Sequence, residues 1–253
     1  MPNHVTNRMR VTGDESEVSR FVDRAIRVEK QKNGDEVTIL DFNRFIPMPE
    51  ELANTTSGSV QTMGLALHGY DKSSIFDPEE GLVEIGKDQT LGRMLAYPWV
   101  VKAGITNVKD LEERLREDCP EADAAGRKAI RLYEAYGFID WYDWSLYHWG
   151  TKWNAYDYFE ASRDHGEFEC LFNTAWSEPR KVFAAMCIRF PKLSFVFTWF
   201  DEGWCHAGEL SRPAGGRSDA EIVVVESPDP ETIPRDMELY IKTYGHSVNE
   251  DYV

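Results

Sequence analysis

The chain has 253 residues, 42% hydrophobic and 13% aromatic, with a formal net charge of −16; that is enough for one large domain or for a domain carrying a sizeable insertion. No apolar run approaches the roughly 18–20 residues that span a bilayer, and Met1-Pro2-Asn3-His4 lacks the basic-then-apolar pattern of a secretory leader. Half of the net charge falls in residues 201–253, with twelve acidic and four basic residues; such a surface repels phosphate backbones, and no Lys/Arg cluster is visible along the chain, so general nucleic-acid and anionic-membrane binding are excluded from the expected partners.

Residues His4 to Val11 alternate, with Val5, Asn7, Met9 and Val11 on one side, as a half-buried strand does. Gly13 ends it, and Asp14 with Glu17 reads as a capping box for a helix with Val18, Phe21, Val22 and Ala25 at helical spacing. Asn33-Gly34 is a turn, and Val37 to Ile46 is expected as a second strand, closed by Pro47 and Pro49. Residues 50–100 mix Gly, Ser, Thr and Asp with short apolar pieces and show no assignable period. Asn107 caps a helix through Leu111 and Leu115, and a second helix is expected over Ala124 to Ala135, ending at Gly137. Phe168 to Trp176 returns to strand character. Ser177 is expected as an N-cap, with Pro179 in the first turn of a helix carrying Val182, Phe183, Met186, Cys187 and Phe190. Leu193, Phe195, Phe197 and Trp199 alternate as a strand, and Asp201-Glu202-Gly203 turns the chain into Trp204 to Leu210 as a hairpin. A Gly-rich loop over Arg212 to Arg217, an edge strand over Glu221 to Glu226 and a short helix opened by Pro234 complete the reading.

Two strand–helix–strand units, far apart in the chain, predict an α+β protein: a ferredoxin-like antiparallel sheet with helices on one face, plus a largely helical insertion. The expected division is a core from residues 1–49 and 150–211, a mostly helical insertion over 50–149, and an acidic C-terminal extension over 212–253. Two small α+β domains are the alternative.

The chain offers no ready catalytic constellation. Cys119, Cys170, Cys187 and Cys205 form no C-x-x-C pair and read as free thiols. The six histidines are scattered, without zinc spacing, and no metal site or cofactor is expected. Asp140, Asp143, Asp157, Asp201 and Glu202 lie near tryptophans but match no metal loop; they read as turn residues and helix caps. Cys205 and His206 are adjacent and would point to opposite faces of a strand, a poor nucleophile pair.

Four of the eight tryptophans lie in Trp141-Tyr142-Asp143-Trp144 and Trp149-Gly150-Thr151-Lys152-Trp153-Asn154-Ala155. Read as a strand, the second piece puts Trp149, Thr151, Trp153 and Ala155 on one face, packed in the core, and Lys152, Asn154 and Tyr156 on the other. On that basis Trp149, Lys152, Trp153, Asn154, Asp157 and Trp176 are the candidate binding residues: Lys152 for an anionic group, Asn154 for a polar edge.

These motifs resemble the Api-like phage proteins with a ferredoxin-like domain, also called YubB-like. The residues that carry the resemblance are Pro2 to Arg8, Asp41-Phe42-Asn43 with Ile46-Pro47-Met48-Pro49, Trp141 to Trp144, Trp149 to Ala155, and Phe172-Asn173-Thr174-Ala175-Trp176 with Pro179. The resemblance implies a phage or mobile-element origin and a cytoplasmic life in a bacterial host, and implies no reaction. Two functions are therefore expected in competition: an accessory protein that binds, occupying or sequestering a host (defence) component, or a small anionic-ligand binder or enzyme with a pocket around Lys152 and Asn154.

Overall fold

The computed structural model describes residues 3–30, 34–72, 81–215, 223–227 and 238–247. In chain order the elements are β1 (His4–Thr12), α1 (Glu15–Ala25), β2 (Ile26–Lys30), β3 (Glu36–Leu40), a 3-10 turn (Phe42–Arg44), α2 (Glu50–Ala53), α3 (Ser59–Leu67), β4 (Tyr70–Asp71) and β5 (Val83–Glu84). Then follow α4 (Lys87–Met94), α5 (Pro98–Lys102), α6 (Val108–Asp118), α7 (Ala122–Tyr136), α8 (Trp141–His148), β6 (Tyr156–Asp164) and β7 (Glu167–Ala175). The chain closes with α9 (Arg180–Arg189), β8 (Ser194–Asp201), β9 (Ala207–Arg212), β10 (Val223–Ser227) and α10 (Glu238–Tyr244). These divide into two units, Met1–Pro47 with His148–Val253, and Met48–Tyr147.

The first unit is built on a sheet of order β10-β9-β8-β1-β7-β6, antiparallel at every pairing. Taken as β1-α1-β6-β7-α9-β8, it is a βαββαβ chain whose first strand lies between its third and fourth. This is the ferredoxin-like arrangement, lengthened at one edge by β9 and β10. Alternation in β1 buries Val5, Met9 and Val11 in the core. Phe21 of α1 meets Phe190 and Phe195 edge-on, at 5.2 and 5.5 Å between ring centres, a preferred aromatic geometry. The Asp14 carboxylate accepts the Ser16 N–H at 2.9 Å and so caps α1. The opposite sheet face carries Arg8, Arg10, Glu169, Thr198 and Glu209, and α10 covers Phe200 at its end.

Three local expectations are corrected. The strand expected over Val37 to Ile46 stops at Leu40, because the Asp41 carboxylate accepts the Asn43 N–H and turns the chain into the 3-10 segment. That strand pairs with β2 in its own hairpin and not in the large sheet; the strand that follows α1 in the sheet is β6. Ser177 does not cap α9: its hydroxyl donates to the Gly150 carbonyl, and Pro179 holds the N-cap position. The segment Trp149 to Ala155 is a run of bends, not a strand. The proposed opening of the last helix at Pro234 lies outside the described residues, as do parts of the Gly-rich loop and of the residues expected as the β10 strand.

The second unit is mostly helical. Gly64 of α3 faces Gly126 of α7 so closely that a Cβ on Gly64 would stand 2.0 Å from the Ala122 carbonyl oxygen. Leu67, Leu91, Val100, Leu111 and Leu115 form one cluster of its core, and Leu65, Ala129 and Ile139 another. Among the described residues no helix is long and apolar enough to cross a membrane.

Candidate functional site

The signature loop leads from α8 to β6. Gly150 has φ 83°, a left-handed conformation that only glycine adopts without strain. It reverses the chain, so inside and outside no longer alternate as on a strand. Trp149 goes in: it is 4% exposed, its indole N–H donates to the Ile46 carbonyl at 2.9 Å, and it meets Phe42 edge-on. Thr151 follows it, with its hydroxyl bonded to both the carbonyl and the N–H of Ala175, at 2.8 and 3.1 Å. This stitches the loop to the end of β7.

Trp153 goes out and is 38% exposed. The paired burial of Trp149 and Trp153 expected from a shared strand face is therefore corrected, and the Gly150 turn is the reason. Asn154 is committed to the fold. Its side-chain oxygen accepts the Phe42 N–H at 2.8 Å, and its amide donates to the Asp41 carboxylate at 2.8 Å. Both ends of the Asn154 amide are thus engaged within the fold. Asp157, at φ 51°, accepts from the Asn173 amide at 3.1 Å.

The structure brings Lys152, Trp153 and Trp176 together. The Lys152 ammonium lies 4.7 Å from the Trp153 ring centre and 4.8 Å from that of Trp176. It is held between two π-faces, each contact contributing about 0.5–1 kcal/mol at an exposed site. Trp176 is 40% exposed and has φ 73°, a strained conformation for a bulky residue that persists only where its surroundings impose it. Here they do: its N–H donates to the Asn3 carbonyl at 3.0 Å, and its carbonyl accepts from His206 at 3.0 Å. A carbonyl can only accept, which places a proton on His206 Nε2.

Beside Trp176 is a recess of about 270 Å³ lined by Ser177, Glu178, Arg180, Trp199, His206 and Ala207. Arg180 binds Glu178 at 2.5 Å and stands over the Trp199 ring at 5.5 Å. His206 Nδ1 is 3.7 Å from Glu178. Sequence reading missed Glu178, Arg180 and His206 as neighbours of Trp176; the only signal was the turn after Asp201, which returns β9 toward the end of β7.

The remaining carboxylates serve the fold. Asp140 accepts the N–H groups of Tyr142 and Asp143 at the start of α8, and Glu202 accepts the His4 N–H at 2.7 Å. Asp143 is buried beside Asp140, with Lys72 at 2.6 Å; burial pushes its carboxyl up to about 6, against the pull of Lys72. The Asp201 carboxylate accepts the Cys205 N–H at 3.1 Å. Burial and then that carboxylate raise the Cys205 thiol above its ordinary value, the opposite of an activated nucleophile. Tyr156 donates to the Thr174 carbonyl and meets His4 Nδ1 at 2.8 Å; burial pushes its phenol up to about 12. Among the described residues no three His, Cys, Asp or Glu side chains are grouped to hold a metal ion.

No curated protein matches the chain. Among solved structures, the chain is similar to the crystal structure of a protein api92 from Yersinia pseudotuberculosis, at 10% identity and a TM-score of 0.41, over 89% of this chain and 98% of that one. Residues 148–222, which contain the signature loop and strands β6 to β9, match the model of a family described as the ferredoxin-like domain in Api92-like protein, and it is to this family that the chain is similar.

Proposed function

We propose that the protein acts by binding, as a phage or mobile-element accessory protein that occupies or sequesters a host (defence) component in the bacterial cytoplasm. The observation that carries the reading is the exposed pair Trp153 and Trp176 around the Lys152 ammonium. Two rigid tryptophans, presented on a turn tied to the sheet, are of a residue type that dominates binding energy at protein interfaces. The strained Trp176 backbone supports the same reading, because such strain tends to gather at functional positions. The alternative, a small anionic ligand held by Lys152 and Asn154, is less well supported, since both ends of the Asn154 amide are already bonded to Asp41 and Phe42.

The test is capture from bacterial host lysate with the full chain and with Trp153→Ala, Trp176→Ala and Lys152→Ala, followed by mass spectrometry and titration of the purified candidate. The expected result is a host protein enriched by the native chain, with affinity lowered at least about tenfold, or about 1.4 kcal/mol, by either tryptophan change. A partner bound equally by all four chains would remove the site from the account.

A further inference from the structure

A second feature stands apart from the Lys152 patch and rests on different residues. In the first unit, Arg20 and Arg24 of α1, Arg44 of the 3-10 turn and Arg189 at the end of α9 surround one cleft of about 630 Å³. Its other lining residues are Asp23 and Phe190. Four guanidiniums face one carboxylate, in a chain whose net charge is −16. The C-terminal ends of α1 and α9 each add about half a negative charge, and Glu17 pairs with Arg20, so the cleft keeps about one positive charge.

The arginines are held in place by the fold and only partly neutralised by it. Arg24 donates to the Arg44 carbonyl at 2.5 Å and stands over Phe45 at 5.8 Å. Arg20 stands over Phe190 at 5.3 Å and binds Glu17 at 3.0 Å. Arg44 reaches Asp41 only at 4.0 Å, and Asp41 is also bound by Arg27 at 2.9 Å. Glu17 is shared with Lys192 at 3.7 Å. Among the described residues Arg189 has no carboxylate within salt-bridge distance, and the Arg24 Nε is buried with no acceptor. Arg189, without a carboxylate partner, and Arg44, 4.0 Å from Asp41, leave guanidinium donors for an incoming oxyanion.

We propose that this cleft binds a small, multiply charged phosphate compound of the oligophosphate or nucleoside triphosphate class. Planar guanidiniums match phosphate oxygens two at a time, which a lysine cluster does not. The volume lies within the usual range for small-ligand sites. Size follows from screening: at physiological salt the Debye length is about 8 Å. A compact ligand places all its charge within that distance of the four arginines, while the distant acidic surface is largely screened from it.

The test is isothermal titration of the full chain, at physiological salt and without added metal, with tripolyphosphate and with ATP. A 20-base-pair DNA duplex and anionic lipid vesicles are run beside them. Saturable binding of tripolyphosphate or ATP, weakened by added salt, is expected. Arg44→Gln combined with Arg189→Gln should lower affinity at least about tenfold, while Lys109→Gln, in the other unit, leaves it unchanged. If the double variant unfolds early, Arg20→Gln, with its largely exposed side chain, should give a smaller loss in the same direction. Absence of binding by both small probes, or retention of full affinity by the arginine variants, overturns the proposal. Binding of only the duplex or the vesicles overturns it too, in favour of a macromolecular surface.

Discussion

Gly150 decides which signature residues face solvent. Its left-handed turn sends Trp149 under Ile46 and leaves Trp153 outside over Lys152. Trp149→Ala should therefore cost about 3–5 kcal/mol, the usual range for an emptied aromatic site. Trp153→Ala should cost less than about 1 kcal/mol, since it removes little more than an exposed cation–π contact. Urea melts of the two variants separate them, and equal losses would show that the loop packs as a strand after all. Composition and spacing showed this loop to be unusual. They could not show which tryptophan is inside, because that depends on one backbone angle. Nor could they show Asn154's role, since its partners Asp41 and Phe42 lie more than a hundred residues earlier.

Elements were readable where a side chain announces them. Asp14 and Asn107 cap α1 and α6 through side-chain hydrogen bonds to the Ser16 and Asp110 N–H groups, and Gly137 closes α7 at φ 75°. Residues 50–100 were opaque because their helices start without such signals: α3 and α4 begin at Gly58 and Gly86, with no side-chain cap. Gly64 added to this, since a glycine inside a helix reads as a weak point. In the structure it is a contact point, with Gly126 across from it. Gly64→Ala gains about 1 kcal/mol of helix propensity and must push apart two helix backbones, for which overpacking losses run to about 3 kcal/mol. A net loss of about 2 kcal/mol is expected for Gly64→Ala, and a similar one for Gly126→Ala. Denaturant melts in which either substitution stabilises the chain would refute this close approach.

For the whole molecule, the alternation of β1, β7 and β8 and the apolar stripes of α1 and α9 made the ferredoxin-like sheet legible. The sheet partner of α1 was misread, because β3 has strand character yet pairs with β2. The arginine cleft was invisible for a plain reason: residues 20, 24, 44 and 189 converge only once the sheet has formed. The cleft is not expected to bind general nucleic acid. A long duplex would press many phosphates against a surface of net charge −16, and only a few could reach the arginines. Random duplex DNA should bind no tighter than about a micromolar dissociation constant at physiological salt. Fluorescence anisotropy with a labelled duplex checks this, and a tighter, salt-sensitive constant would contradict it.

The central place of β1 has a consequence for how the chain is made. Residues 4–12 pair with residues 167–175 on one side and 194–201 on the other. At synthesis rates of about 5–20 residues per second, the strand waits on the order of ten seconds or more for its first partner in the large sheet. Meanwhile Met48–Tyr147 leaves the ribosome as a continuous stretch. The inserted unit can therefore assemble before the unit whose sequence it interrupts, and β1 spends that interval with the apolar side of its alternating pattern (Val5, Met9, Val11) uncovered, the most exposed moment in the life of this fold.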